Sequence, residues 1–309
     1  MVFLSIVVPC YNEEESLGIF LKEIQKVLEG YDFEVIFIND GSSDNTLEKI
    51  KDLACENPNV KYISFSRNFG KESAIYAGLK NTSGDLVCLM DADLQHPPSL
   101  LPEMIESLSD GEYDVVAARR VSRKGEPKIK SFFSGLFYKV FNRISELDLV
   151  EGATDYRVMT RPVVDAVMRL TEFNRFSKGL FHWVGFNTKW IAYENVERVA
   201  GETTWSFWGL LQYSVEGIVA FTTIPLSIST VLGTIISIVA FIYMLFIIAK
   251  YLLYSDAVQG FATIMCAILL LGGIQLLSIG VLGKYLEKTY TETKNRPIYI
   301  VKETNIDDN

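Results

Sequence analysis

Along the first 120 residues, apolar side chains fall into short runs that stop abruptly at acidic or turn-forming residues, and between the runs they recur every three or four positions. Residues 3–8 form one run, closed by Pro9. The loop from Cys10 to Ser16 then leads into Leu17, Phe20, Leu21, Ile24 and Leu28, one face of a helix. Residues 33–38 repeat the form and end in Asn39-Asp40-Gly41-Ser42-Ser43-Asp44, where Gly41 permits a tight turn and the hydroxyls can cap a helix starting near Asn45. A third strand is expected over 60–64 and a helix over 71–81. A fourth strand is expected over 86–90, a helix over 98–108 and a fifth strand over 114–118. Strands alternating with helices predict right-handed βαβ units and a mostly parallel sheet, with the chemistry on the loops at one edge.

The pattern changes in the last third. From Gly217 to Ala249, and again from Ala257 to Gly283, there is no charged residue, and each stretch exceeds the ~20 residues a helix needs to cross a bilayer. Hydrophobic residues make up 49% of the 309, more than a soluble core requires, so two membrane-spanning helices are expected rather than two buried core helices. Trp205, Phe207, Trp208, Leu210, Leu211 and Tyr213 ahead of them suit an interfacial helix. The expected organisation is a cytoplasmic domain over 1–201, a juxtamembrane helix over 202–224, a two-helix hairpin over 225–283 and a cytoplasmic tail over 284–309. The tail carries a short strand at 297–301, which needs a sheet edge, its own or that of a neighbouring protomer. Lys284, Lys288, Lys294 and Arg296 follow the second span, which places both termini in the cytoplasm. Residues 1–9 lack the basic start of a signal peptide.

A net charge of −9 argues against nucleic acid as a partner. The four cysteines are scattered without metal or disulfide spacing, as in a reducing compartment. Charge is nonetheless segregated: residues 119–143 hold eight basic residues against the single acid Glu126, beside the aromatics Phe132, Phe133, Phe137, Tyr138 and Phe141. Basic side chains bordering an aromatic face suit a lipid phosphate at a membrane surface; a solvated loop ahead of a core helix is the plainer alternative.

The acids sit at the ends of the predicted strands: Glu13, Asp40, Asp91 and Asp93. Ligands of open α/β sheets bind beyond the carboxyl ends of the strands. There, Asp91 and Asp93 can face one hard cation, with Gln95 adding a neutral oxygen and phosphates completing the shell. Neither a Gly-x-Gly-x-x-Gly after the first strand nor a phosphate-binding Gly-x4-Gly-Lys motif is present, so a dinucleotide-binding dehydrogenase and a P-loop enzyme are both set aside. Asp40 suits a ribose hydroxyl or the imide of uracil, or else caps a turn.

The stretches IVVPCYNEEESL, VIFINDGSSDNT, ISFSRNFGKESAIYAGL and LMDADLQHPP, followed by GATDYRVM, RFSKGLFHWVGF and AGETTW, resemble the family 2 glycosyltransferases of GT-A fold, in particular polyprenyl-phosphate glycosyltransferases of the bactoprenol glucosyltransferase type, related to dolichyl-phosphate mannose synthase. The resemblance implies a GT-A catalytic domain with an interfacial helix and two transmembrane helices. It implies that Pro9, Tyr11, Asn12, Glu13, Asp40, Lys71 and Asp91 hold a nucleotide sugar, and that Asp91, Asp93 and Gln95 hold Mg2+ or Mn2+. Arg119, Lys130, Ser131 and Ser134 would grip the acceptor phosphate, with Asp93, Arg119 and Asp155 the catalytic set. Asp155 is either a base or an orienter of Arg157 or of the basic acceptor loop. Arg175, Lys178, His182 and Trp183 look like a mobile wall of the donor pocket. The activity so implied is metal-dependent, inverting transfer of a hexose, glucose first and N-acetylglucosamine or mannose as alternatives, from a UDP-sugar to polyprenyl phosphate at the inner face of a bacterial cell membrane, by a dimer or tetramer. A polysaccharide synthase is disfavoured by the lack of Gln-x-x-Arg-Trp, and a non-catalytic scaffold or lipid flippase by the complete Asp-x-Asp-x-Gln.

Overall fold

A computed structural model describes residues 2–121, 139, 141–143, 145, 150–194, 218–254 and 260–306. Strands β1 (Phe3–Cys10), β2 (Asp32–Asn39), β3 (Val60–Phe65) and β4 (Leu86–Leu89) lie at the predicted runs, and β5 (Val115–Arg120) follows. Three further strands are β6 (Ala153–Thr160), β7 (Thr188–Tyr193) and β8 (Val301–Thr304). All eight join one sheet in the order β7-β5-β6-β4-β1-β2-β3-β8. The pairs β1 with β2, β1 with β4, β2 with β3 and β5 with β7 are parallel. Strand β6 runs antiparallel to both β4 and β5, and β8 is antiparallel to β3. The sheet is therefore mostly parallel, of the GT-A kind, with β6 inserted against the grain.

Both faces are covered, which is why the strands read as nearly continuous apolar runs. On one face, α1 (Leu17–Val27), α2 (Thr46–Glu56) and α4 (Leu101–Ser109) set Phe20, Ile24, Ile50 and Met104 against Leu4, Ile6, Phe37 and Cys88. On the other, α3 (Lys71–Lys80), α5 (Arg161–Met168) and α6 (Ser177–Trp183) set Ala74, Leu79, Val163 and Phe181 against Val7, Ile36, Leu89 and Met159. Gly78 lets α3 settle onto β1, since a Cβ there would stand 2.1 Å from Val7 Cγ1.

Two expectations are corrected. Helix α2 is not capped by the serine hydroxyls: Asp44 accepts the Thr46 N–H (3.0 Å) and Glu14 the Asn45 N–H (3.0 Å), while Ser42 Oγ receives the Asn12 N–H (3.0 Å). The tail strand begins at Val301, where 297–301 was expected, and its partner is β3 of the same chain, with Ser64 opposite Glu303. The carboxylate of Glu34, buried at the far end of β2, is served by Ser5, Ser83 and the Lys61 ammonium.

The chain divides into two compact units, residues 1–217 with 295–309, and residues 218–294. The second contains α7 (Ile224–Tyr254) and α8 (Phe261–Thr293), whose apolar windows have mean hydropathies of 2.7 and 1.8 and no buried share. Both helices are long and apolar enough to cross a membrane, and many of their leucines and isoleucines are exposed. Helix α8 continues ten residues past Gly283, through a charged stretch in which Lys284 pairs with Glu287 (2.9 Å). Most of the expected juxtamembrane helix, residues 202–217, lies outside the described residues.

Candidate active site

The site grows from the register of two neighbouring strands. Antiparallel pairing sets Leu86 opposite Thr160 and Leu89 opposite Arg157, which brings Asp91, two residues past the end of β4, and Asp155, two residues before Arg157 on β6, to the same rim. Two like charges brought close repel. The Lys71 ammonium, on the first residue of α3, answers that repulsion. Its Nζ is 2.7 Å from Asp91 Oδ1, 2.9 Å from Asp91 Oδ2 and 2.9 Å from Asp155 Oδ2. Burial pulls the Lys71 pKa down, but the two carboxylates outweigh it and hold the ammonium firmly charged. Burial likewise pushes Asp155 up, yet Lys71, with Lys178 and Arg157 beyond it, keeps its carboxyl well below the usual carboxylate range.

Three loops close around this bridge. The buried Asp40 carboxylate, just past β2, accepts the backbone N–H groups of Phe69 (2.6 Å) and Gly70 (2.9 Å) and so fixes the turn that starts α3. Desolvation outweighs those donors and raises its pKa. Gly41, at φ +66°, lets the β2 loop cross the 67–70 loop, where a Cβ would stand 2.3 Å from the Arg67 carbonyl carbon. Asn12, in the left-handed region at φ 55°, accepts the Ser43 N–H (2.9 Å), and Thr46 Oγ1 accepts the Glu13 N–H (2.8 Å), so the β1 loop is tied to the β2 loop. Tyr11 is left exposed between them.

The remaining wall is α6. Glu72, next to Lys71, accepts both the N–H (2.9 Å) and the hydroxyl of Ser177, and burial raises its pKa. Arg157 donates to the carbonyls of Thr154 (3.0 Å) and Asp155 (3.3 Å), and its guanidinium lies 4.0 Å above the Phe181 ring; desolvation brings its pKa down to about 10. Arg175 stacks on Tyr76 at 4.7 Å and His182 on Trp190 at 6.1 Å, whereas Trp183 is exposed. Glu72 carried no signal in the sequence, because an acid in the first turn of a helix is ordinary.

The structure thus brings together Asp40, Lys71, Asp91 and Asp155, with Pro9 near the end of β1 and Tyr11, Asn12 and Glu13 on the loop that follows it. Asp93 is buried and accepts the Gln95 N–H (3.1 Å) through a turn in which Leu94 is left-handed at φ 57°. His96 is buried against Tyr156 at 5.4 Å; burial lowers its pKa, and its Nδ1 meets no hydrogen-bond partner among the described residues. Arg119 is exposed at the end of β5. Lys130, Ser131 and Ser134 lie outside the described residues.

Among the described residues no three acids, histidines or cysteines gather as a closed metal cage. What is present is a pair of hard oxygen donors at one strand end, Asp91 and Asp93, with one of them already neutralised by an ammonium. That set fits a divalent cation that takes its remaining ligands from a bound diphosphate and water, as Mg2+ commonly does.

The model of glycosyl transferase family 2 matches residues 5–167, a span that takes in the β1 loop, Asp40, Lys71, Asp91, Asp93 and Asp155. The chain belongs to glycosyl transferase family 2. Within the family it is 47% identical over 305 residues to the CsbB chain of Bacillus subtilis (strain 168), spanning 98% of this chain and 92% of that one. It is 42% identical over 301 residues to a prophage bactoprenol glucosyl transferase homolog of Escherichia coli (strain K12), spanning 97% and 98%. A bactoprenol glucosyl transferase of Shigella phage SfII is 41% identical over 303 residues, again spanning 97% and 98%. Among solved structures, glucosyl-3-phosphoglycerate synthase of Mycobacterium tuberculosis superposes with a TM-score of 0.50 at 20% identity over 71% of this chain and 78% of that one, a likeness of fold.

Proposed function

We propose that this glycosyltransferase moves glucose from UDP-glucose to the phosphate of a polyprenyl lipid, inverting the anomeric centre, at the cytoplasmic face of a bacterial cell membrane. The observation that carries the reading is the Lys71 bridge between Asp91 and Asp155, which sets anionic groups and a fixed cation at one point of the rim. The bactoprenol-linked names of the relatives favour glucose and a lipid carrier, and the two unburied apolar helices favour a membrane address.

An acceptor phosphate oxygen attacks C1 of the sugar as the bond from C1 to the diphosphate oxygen breaks, and UDP leaves with the electron pair. A phosphate monoester, with a second pKa of ~6, arrives already ionised at neutral pH, so no proton has to be removed from the nucleophile. Asp155 is then an orienter and not a base: pinned by Lys71 and held far below neutrality, it is a poor proton acceptor. Lys71 sits where it can neutralise charge developing on the leaving diphosphate. Asp40 keeps the 69–70 turn in place, and the exposed Tyr11 ring offers a face to the base. Asp91, Asp93 and Gln95 would hold Mg2+ or Mn2+, which supplies a Lewis acid on the diphosphate. Arg119 with Lys130, Ser131 and Ser134 is the proposed grip on the acceptor phosphate.

The test is transfer of labelled glucose from UDP-glucose to undecaprenyl phosphate in proteoliposomes, read as label extracted into organic solvent, with UDP-N-acetylglucosamine and GDP-mannose run in parallel. Asp93→Ala is expected to lower turnover at least ~100-fold, the scale of losing one major electrostatic group. Near-normal turnover of that variant, or no labelled lipid from the parent with any donor, would overturn the reading.

A further inference from the structure

The segment that follows α8 is built into the catalytic sheet more thoroughly than a four-residue strand requires. Thr304 Oγ1 donates to the Tyr62 carbonyl (2.7 Å), Asn305 Oδ1 accepts the Tyr62 N–H (2.7 Å), and Lys51 pairs with Glu303 (3.0 Å). These contacts fasten the outer half of the strap. Its inner half does something different. The Ile300 carbonyl accepts the Ser66 N–H (3.0 Å), just where β3 gives way to the loop that Asp40 holds. One residue earlier, Tyr299 slides its half-buried ring over Phe65, centroids 4.9 Å apart and planes 21° from parallel.

That ring completes an aromatic cluster lying under two walls of the site. Phe65 meets Phe69 edge to face at 5.8 Å, and Arg67 covers the outer face of Phe69 at 4.1 Å. Tyr299 also meets Tyr76 of α3 at 6.3 Å, and Tyr76 carries the Arg175 guanidinium at 4.7 Å. Phe69 is therefore fixed twice: its ring rests on Phe65, beneath which Tyr299 is stacked, and its N–H is given to Asp40. Without the Tyr299 ring, Phe65 loses its stacking partner, and the 66–70 loop keeps its hydrogen bonds to Asp40 and Ile300 while the ring under Phe69 is no longer held in place. Aromatic contacts of this kind add geometric preference beyond buried area, which is what a loop meant to hold one conformation needs.

We infer that Tyr299 is a positioning residue for the 66–70 loop and, through Phe65 and Phe69, for Asp40 and the start of α3. The chain that leaves the apolar helix α8 thus supplies a ring to the donor loop; the consequence for donor binding rests on the proposed use of that loop for a nucleotide. The strap is a working part of the site and not only an edge cover for β3.

Three full-length variants in detergent micelles test this: Tyr299→Ala, Tyr299→Phe and, on the same strap but away from the ring cluster, Glu303→Gln. Hydrogen exchange of the 66–71 backbone, followed by mass spectrometry, needs no ligand. Tyr299→Ala is expected to raise exchange there at least ~10-fold, with Tyr299→Phe and Glu303→Gln within twofold of the parent. UDP binding by calorimetry is expected to weaken about tenfold for Tyr299→Ala alone, appearing in KM more than in kcat. Unchanged exchange in Tyr299→Ala, or equal rises in Tyr299→Ala and Glu303→Gln, would overturn the inference. Should the parent bind no UDP, the proposed function falls and the exchange comparison still decides the role of Tyr299.

Discussion

Replacing Lys71 with methionine separates the bridge from everything around it, because methionine keeps the unbranched apolar stem of the side chain and removes the charge. At 2.7 Å and an effective dielectric of ~20, the attraction between Lys71 and Asp91 is ~6 kcal/mol before any cost. The Lys71 side chain is 39% exposed and that of Asp91 28%, so screening and lost hydration leave about 1.5 kcal/mol net. Two consequences of opposite sign follow. Without its ammonium, Asp91 is open to a divalent cation, so Mn2+ added without nucleotide should bind Lys71→Met about tenfold more tightly than the parent, since ~1.4 kcal/mol is a factor of ten. Turnover should nevertheless fall ~100-fold, because a fixed cation has been taken from a site where charge moves. Calorimetric titration with Mn2+ and the labelled-lipid assay read the two effects separately. Mn2+ affinity that stays the same or weakens would refute the idea that Lys71 occupies the cation side of Asp91, whatever happens to turnover.

Asp155→Asn should lower turnover ~10 to 100-fold yet leave the shape of the pH–rate profile unaltered, since Asp155 is held ionised far below the range in which such profiles are taken; loss of an acidic limb in the variant would make it a base after all. Lys61→Met should destabilise the protein at pH 7 by about 1–2 kcal/mol, because the Glu34 carboxylate keeps its hydroxyl partners Ser5 and Ser83 and loses its ion pair. Burial raises the Glu34 pKa, but Lys61 and the serines outweigh it and set the folded value below the ordinary one. Its contribution is therefore present above ~pH 4.3 and lost as pH falls through the folded value, so parent and variant melts should converge on acidification; a constant gap between them would argue against the assignment.

How much of this was legible in the sequence depended on the kind of contact. Strands β1 to β5 sit in the sheet between two helical layers and read as nearly continuous apolar runs, the clearest being Leu86 to Leu89, as a strand buried on both faces does. Strands β6 and β7 escaped the periodicity because polar side chains lie within them: Asp155 and Arg157 in ATDYRVMT, Lys189 in TKWIAY. The tail strand was expected four residues early because Ile298, Tyr299 and Ile300 are the apolar part of that segment, whereas ladder pairing starts at Val301. Of the three, Tyr299 packs on Phe65 and on Tyr76 of α3, whereas Ile300 is exposed, so the run does not mark strand alternation. Of the site itself, the motif acids could be named, but their partners could not. Lys71 lies 20 residues from Asp91 and 84 from Asp155, a pairing set wholly by topology.

The element hardest to foresee is also the one that makes the site what it is. Parallel strands end in separate loops, so a rim built from β1, β2, β3 and β4 alone would leave Glu13, Asp40 and Asp91 each in its own turn. An antiparallel strand laid beside β4 instead brings an acid near its own start to the rim beside one just past the end of β4, close enough for one lysine to bridge them. Its side-chain alternation then decides which face that acid takes. Asp155 and Arg157 point towards α3 and α6, while Tyr156 and Val158 point into the core under α1 and α4. A slip of one residue would exchange those faces, driving a carboxylate and a guanidinium in among Phe20, Met104 and Cys88 and leaving Lys71 with Asp91 alone. The apolar residues of β6 therefore hold the acid pair in register as firmly as Lys71 holds it together.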